Sequence, residues 1–363
     1  MPLDEVSAKR YARKSAFLEF CDRDGLAVIT GYGVDDLKTA PLKHWERWGG
    51  PAAYCHLEGS QGFVGVMVAE IPAGKSLKPI RHMYEEQVLI LSGCGATQFW
   101  SESVKDPITL EWQAGSLFSP PLNVKHQHHN GSATEPVRIA TANNLPLVMN
   151  LYNSPNFVFD VPHEFKDRFA GQKDFFSSEM KPGEQEDRVV NFIPDLTAVQ
   201  LDYHPERGIG FSRLGIHLSG NSMVGHIMAV ESGTYKKAHR HGPGAQVIVI
   251  AGKGYSLMWP PGGDFVRVNW KPGSLLVPPE GWYHHHFTTS KESARHLALR
   301  RGLRQVGHPW RPNLSEHEGG HLLEHEDEPP EIRSMYEAEL KKEGIPLRMP
   351  PIERRVFSQL DFV

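Results

Sequence analysis

Cysteine is scarce in this chain: Cys21, Cys55 and Cys94 are the only three in 363 residues, and no two form a Cys-x-x-Cys pair. That excludes a disulfide-built scaffold and a thiolate zinc site, and predicts a reducing, cytoplasmic setting. Long apolar runs are missing too. No segment approaches the roughly 18 apolar residues of a membrane span, and the opening decapeptide (Met-Pro-Leu-Asp-Glu-Val-Ser-Ala-Lys-Arg) has no apolar core of the signal-peptide kind, so a soluble protein without a membrane partner is expected. Nor is there a basic tract. With Lys+Arg 39 against Asp+Glu 43 and a formal charge of -4, nothing marks a phosphate-backbone footprint, which argues against nucleic acid and for a small-molecule partner. Helical patterning is sparse, whereas Gly 34 and Pro 28 punctuate short alternating apolar runs, so the chain reads as mainly β.

What is present is a repeat. Leu-Ser-Gly-Cys-Gly-Ala-Thr-Gln-Phe-Trp at 91–100 matches Ile-Ala-Gly-Lys-Gly-Tyr-Ser-Leu-Met-Trp at 250–259, an offset near 159. Trp112-Gln-Ala-Gly-Ser-Leu-Phe-Ser-Pro-Pro pairs likewise with Trp270-Lys-Pro-Gly-Ser-Leu-Leu-Val-Pro-Pro, and His126 and His284 follow at the same interval; upstream, His56-Leu-Glu-Gly aligns with His217-Leu-Ser-Gly. Short strands separated by turns predict two jelly-roll-like β-barrels, at 50–150 and 210–305, with short flanking helices. An N-terminal helical arm at 1–49, with helical patterning over 5–22, a connecting segment at 151–209 and a C-terminal tail at 306–363, with one helix near 328–343, frame them.

The second repeat carries His239-Arg-His241 at the head of an apolar run ending on Gly252. Residues i and i+2 of a strand share a face, so both imidazoles can point into the barrel. Gly273-x5-Pro279-x-Gly281-x2-His284 brings in a third. Three neutral nitrogens on one side of an ion leave positions open for chemistry, and imidazole suits iron, nickel, copper or zinc.

These spacings resemble the two cupin motifs, and because both repeats carry them the chain resembles a bicupin. The family's glutamate place after the second histidine holds Ala245. The form His-Arg-His-x-x-x-Ala is similar to the iron motif of gentisate-type ring-cleaving dioxygenases. That likeness implies Fe(II) at His239, His241 and His284, with Mn, Ni or Zn as other candidates, and a hydroxylated aromatic acid and O2 as reactants. In those enzymes the active metal usually lies in the first cupin; here the intact motif is in the second. Met258-Trp-Pro-Pro-Gly-Gly, Trp270-Lys-Pro-Gly-Ser-Leu and the tail Gly319-Gly-His-Leu-Leu-Glu-His-Glu-Asp-Glu-Pro-Pro-Glu-Ile-Arg resemble bicupins labelled ethanolamine ammonia-lyase activating proteins.

In the first repeat Ile80 takes the first ligand place, leaving His82, Glu86 and His126. This reads as a degenerate copy, with a two-histidine, one-carboxylate metal set as the alternative. His286 shares a face with His284 and is a candidate proton donor. Arg213, Arg295 and Arg300 are the arginines nearest the second barrel's strands and candidates for a substrate carboxylate. Pairs retained in both repeats (Gln87 and Gln246, Trp100 and Trp259, Trp112 and Trp270) are expected to serve the fold. His317, His321 and His325 have the i, i+4, i+8 spacing of one helix face, but Gly319-Gly320 interrupts them.

The leading expectation is a non-haem Fe(II) dioxygenase cleaving a small aromatic or enolisable organic acid, in a chain that can form a homo-oligomer. The alternatives are a Mn- or Zn-dependent decarboxylase or isomerase, which the missing glutamate at Ala245 disfavours for the four-ligand manganese type, and a non-catalytic ligand-binding bicupin.

Overall fold

The β-branched runs Glu86–Ser92 and Gln246–Ala251 form a central strand in each half of the molecule. Each run ends on a glycine with positive φ, Gly93 (81°) and Gly252 (78°). A Cβ on Gly93 would lie 2.6 Å from Val137 Cγ2, and one on Gly252 2.8 Å from Ala294 Cα, so both the turn and the close strand approach require glycine. This accounts for the Gly-x-Gly shared by the two repeats.

The computed structural model describes residues 14–183, 187–242, 244–301 and 311–353. The fold is mainly β: two jelly-roll-like barrels with short flanking helices, as the repeat predicts. In the first barrel an eight-stranded sheet runs Ala27–Ile29, Gly50–Cys55, Gly65–Ile71, Val137–Asn143, Glu86–Ser92, Leu117–Phe118 and Phe192–Ile193, with Lys43–Trp45 beside Gly50–Cys55. Lys125–Asn130, Cys94–Trp100 and Ile108–Gln113 make a three-stranded sheet. The second barrel repeats this order, with Phe211–His217, Val224–Val230, Ala294–Arg300 and Gln246–Ala251 at the centre of its large sheet.

The N-terminal arm is not simply helical. Ser15 caps the helix Ala16–Asp24 and Gly25, at φ 70°, ends it; the strands 27–29, 33–34 and 43–45 follow. Residues 5–13 of the expected helix lie outside the described residues. The structural repeat therefore starts upstream of residues 50 and 210, and its arms cross. Gly33–Val34 pairs with Leu275–Leu276 of the second barrel, and Phe192–Ile193 pairs with Leu117–Phe118 of the first. Leu37 N–H donates to Gly273 O at 2.8 Å, and Leu196 N–H to Gly115 O at 3.0 Å. The retained glutamines follow the same rule: Gln246 Nε2 donates to Val64 O at 3.1 Å, and Gln87 Nε2 to Met223 O at 3.3 Å. Gln87 and Gln246, like Val64 and Met223, stand 159 positions apart.

Beneath these bonds lies one apolar core shared by both barrels, in which Leu57, Val68 and Leu89 meet Leu218, Ile227 and Ile248. The segment after each barrel closes it. Phe159 and Phe176 pack into the first, and Leu322 bridges to His239 in the second. The helix Pro330–Glu343 lays Ile332, Tyr336 and Leu340 against Tyr235, Tyr255 and Phe287, and Gly344 (φ 66°) ends it.

Leu37, fully buried in the shared core, tests whether the barrels fold as one unit. Leu37→Ala should cost ~2–5 kcal/mol by removing buried methyls and leaving a cavity. Urea melts followed by both tryptophan fluorescence and far-UV circular dichroism should shift together in one transition; two separated transitions would mean independent barrels.

Candidate metal centres

Strand geometry brings the second repeat's histidines together. His239 faces His284 across an antiparallel bridge, and His241 follows on the same face. Ring centroids are 4.3 Å apart for His239 and His284, 4.9 Å for His241 and His284, and 5.4 Å for His239 and His241. One ring nitrogen from each lies within 4.8 Å of the others. His241 Nδ1 lies 2.8 Å from Gly242 O and His284 Nδ1 3.2 Å from Trp282 O, contacts that place the hydrogen on Nδ1 and the lone pair on Nε2. Among the described residues, the buried His239 Nδ1 has no partner. Burial, then neighbouring cations, hold all three imidazoles neutral, His241 at about 3 and the other two well below the ordinary value. Neutral imidazole is the ligating form. Ala245, buried, adds no carboxylate.

The first repeat also forms a tight cluster. His82 Nε2 is 3.0 Å from Glu86 Oε1; His126 Nε2 is 3.2 Å from the same oxygen, near enough for an ion pair but outside hydrogen-bond geometry. His82 Nδ1 faces Tyr84 O at 2.8 Å and His126 Nδ1 faces Val124 O at 2.9 Å. Both Nε2 lone pairs thus converge on a carboxylate, an arrangement that a proton or a cation must hold together. Burial would raise the Glu86 carboxyl, but His82 and His126 beside it hold it well below the usual range. Its Oε2 has no partner. Ile80, at the vacant ligand place, is buried in the apolar wall. That wall includes Phe99 and Phe118, and the tilted ring of Phe176 lies 4.4 Å from that of Phe99.

Both groups therefore fit a divalent ion: buried ring nitrogens, oriented through Nδ1 where a carbonyl lies opposite, and orphaned polar atoms aimed at a common centre.

His286 is buried in the second barrel, its ring 5.8 Å from that of His284 and 5.2 Å from that of His296. Trp270 Nε1 donates to Ser256 Oγ at 3.0 Å, and Ser256 Oγ lies 2.7 Å from His286 Nδ1. Among the described residues the serine proton has no other acceptor, so Ser256 donates to Nδ1 and the His286 hydrogen sits on Nε2. Trp112, Thr97 and His128 form the same chain in the first barrel, at 2.9 and 2.8 Å. The retained Trp112 and Trp270 thus hold a buried histidine in each copy. Trp259 stacks on His285, on the opposite face of the strand.

The arginines divide by strand parity. On Ala294–Arg300, Arg300 shares the inner face with His296, and Arg213 opposes Met228 of the inner wall. Arg213 and Arg300 line one cavity with Arg207. Arg295, expected beside the substrate, points the other way and donates to Leu196 O and Val199 O at 2.7 and 3.0 Å. Arg295 stands five positions before Arg300, an odd offset, so no regular strand could present both inward. The sequence reading missed Arg207, Lys236, His226 and His296. The last two were recoverable from parity along their strands, and the first two from setting each repeat against the other.

The tail histidines do not share a helix face. Glu316–Glu318 is a single 3-10 turn, and the three rings take separate partners: His317 with Asp327 (2.6 Å), His325 with Glu328 (3.4 Å), and His321 Nδ1 accepting from Arg311 N–H (2.9 Å). The two glycines divert the chain so that residue 322 pairs with residue 239.

No family model and no curated protein sequence matches the chain. Among solved structures it is similar to an oxalate decarboxylase studied for its reaction-specificity switch (TM-score 0.49, 13% identity, covering 77% of this chain and 79% of that one). It is also similar to the Bacillus subtilis oxalate decarboxylase at pH 4.6 (0.49, 13%, 76% and 77%) and to the enzyme of that organism in work on its Mn(II) centres (0.48, 13%, 77% and 79%). At that identity the sequences have little in common. None of the three is a ring-cleaving dioxygenase or an ethanolamine ammonia-lyase activating protein. Among the described residues, no helix is long and apolar enough to cross a membrane.

The buried imidazoles fix a pH response. His128, His241 and His296 are each lowered by burial to about 3, and His285 to about 4. Below about pH 6.5 the unfolded chain takes up protons that the folded chain refuses, so stability is full above that pH and falls as pH drops toward 4. Each such histidine contributes a slope of up to ~1.4 kcal/mol per pH unit. Metal-free protein melted in urea at pH 7.5 and pH 5.5 should be markedly less stable at the lower pH; equal midpoints would contradict neutral burial.

Proposed function

We propose that the chain is a metal-dependent enzyme acting on a small organic acid in the second barrel, its ion held by His239, His241 and His284. The observation that carries this reading is the set of three neutral imidazoles, two buried and His241 partly so, converging without a protein carboxylate. An ion bound there keeps its full charge and open positions, supplying Lewis acidity and, if it is iron, a place for dioxygen. The rest falls to the chain. Arg213 and Arg300 draw an anionic acid to the inner wall, the tail at Leu322 pairs with His239, and His286 holds a transferable proton on Nε2.

Fe(II)-dependent oxidative cleavage is the first chemistry to test, because a chelating acid supplies the negative charge that the protein ligands lack. Metal-assisted decarboxylation or isomerisation is the second. His286 and the buried Lys236 are groups able to give or accept a proton, which those reactions need. Protein loaded separately with Fe(II), Mn(II) and Zn(II) should be screened against hydroxylated aromatic acids and β-dicarbonyl acids, with and without O2. Iron-specific oxygen uptake, absent in His284→Ala, is the expected result. Turnover independent of O2, or supported by zinc, would select the second chemistry.

The first barrel, in this reading, holds a second ion at His82, Glu86 and His126, away from substrate behind Phe99 and Phe176. Elemental analysis should then find two equivalents of metal per chain, with His241→Ala and Glu86→Ala each removing one, additively. One equivalent in the wild type, lost in His241→Ala and kept in Glu86→Ala, would make the first barrel metal-free.

A further inference from the structure

Duplication gives the second barrel an internal reference. Lys237 N–H donates to Arg207 O at 2.8 Å as Lys78 N–H donates to Trp48 O at 2.7 Å, so Arg207 occupies the place of Trp48. Lys236 stands three residues before His239 as Leu77 stands three before Ile80. Arg213 opposes Met228 as Ala52 opposes Ala69, and Arg300 ends its strand as Asn143 does. Four uncharged places in one copy are cations in the other. The same copy has exchanged Glu86 for Ala245.

These cations converge. Arg207, Arg213 and Arg300 line a cavity of about 290 Å³ with Phe211, His204 and Asn313. Lys236 Nζ and Arg207 Cζ lie 5.3 and 5.8 Å from the centroid of the Phe211 ring. The carboxylates that also line the cavity are engaged: Asp187 at 3.0 Å from His217 and 3.5 Å from Arg213, Glu206 at 2.9 Å from His204. Arg207 bonds to the neutral Asn313 side chain, and among the described residues the buried Nε atoms of Arg207 and Arg300 have no partner. Among the described residues Lys236, though buried, has no carboxylate partner. Burial lowers Arg207 and Arg300 only to about 10, so both stay charged at neutral pH. Cations in such a cavity that touch no carboxylate directly are costly, and a bound anion with several acceptor oxygens offsets that cost. The wall that carries Arg300 also carries His296, whose ring is 5.2 Å from His286.

We propose that this cavity receives a second anionic group, so that the second barrel's ligand is a small dianion with one acid group at His239, His241 and His284 and the other between Arg207, Arg213 and Arg300. Only the first of the two contacts rests on the metal reading. Carboxylate and phosphoryl groups share the required chemistry of paired anionic oxygens.

Calorimetric titration of metal-loaded protein with acetate, malonate, succinate, glutarate and inorganic phosphate tests the idea. One dicarboxylate should bind at least tenfold more tightly than acetate. Arg300→Gln and, as an independent variant, Arg207→Gln should lower that dicarboxylate to the affinity of acetate with metal content unchanged, while Arg300→Lys retains part of the preference. Phosphate binding more tightly than every dicarboxylate, with the same arginine dependence, would identify the second group as phosphoryl. Metal-loaded protein that binds acetate as well as every longer acid and binds no phosphate, or folded glutamine variants that bind like the wild type, would overturn the proposal and leave the metal reading intact. Arginine-dependent phosphate binding that persists in His284→Ala supports the cavity by itself, and finding it in wild-type protein that takes up no metal would sink the metal reading alone.

Discussion

Each large sheet has an apolar face that its own repeat cannot cover, and the rest of the molecule depends on the burial of those two faces against each other. Leu57, Val68 and Leu89 on one side and Leu218, Ile227 and Ile248 on the other are buried together at that seam. The crossed arms and the reciprocal glutamines follow from that burial: a sheet edge or polar side chain at such a seam must find its partner across it. With the outer faces fixed this way, the inner faces are free to carry imidazoles and guanidinium groups whose burial works against stability.

The two interiors use this freedom in opposite ways. In the first, a carboxylate and two histidines sit among Phe99, Phe118 and Tyr84. In the second, three histidines meet without a carboxylate while arginines and a lysine occupy positions that are neutral in the first. One interior balances its charge within the protein; the other carries a positive excess that an incoming ligand can neutralise. An ion of the same charge would therefore meet two different fields.

Much of this was legible in the sequence, because strand period and repeat spacing are local properties. The i, i+2 spacing of His239 and His241, and the glycines at 93, 252 and 273, encode turns and faces directly. The crossed arms were not legible. Gly33–Val34 and Phe192–Ile193 are two-residue strands whose partners lie far along the chain, too short for periodicity to register. Arg295 was misread because nearness in sequence was taken without the parity of its strand. Arg207 and Lys236 were missed because each looks like a surface charge until it is set beside Trp48 and Leu77. The first repeat read as degenerate on the strength of Ile80, although the Nδ1 contacts of His82 and His126 keep the remaining groups aligned.

The reciprocity of the glutamine contacts, Gln87 to Met223 and Gln246 to Val64, is what a two-fold axis produces between identical subunits. In a homodimer of one repeat every substitution appears twice, so a carboxylate removed from one centre is removed from both. Joining the halves in a single polypeptide keeps the seam symmetric while releasing the interiors from that copying rule. Glu86 and Ala245 can then differ, as can Trp48 and Arg207, without any change in the contacts that hold the halves together.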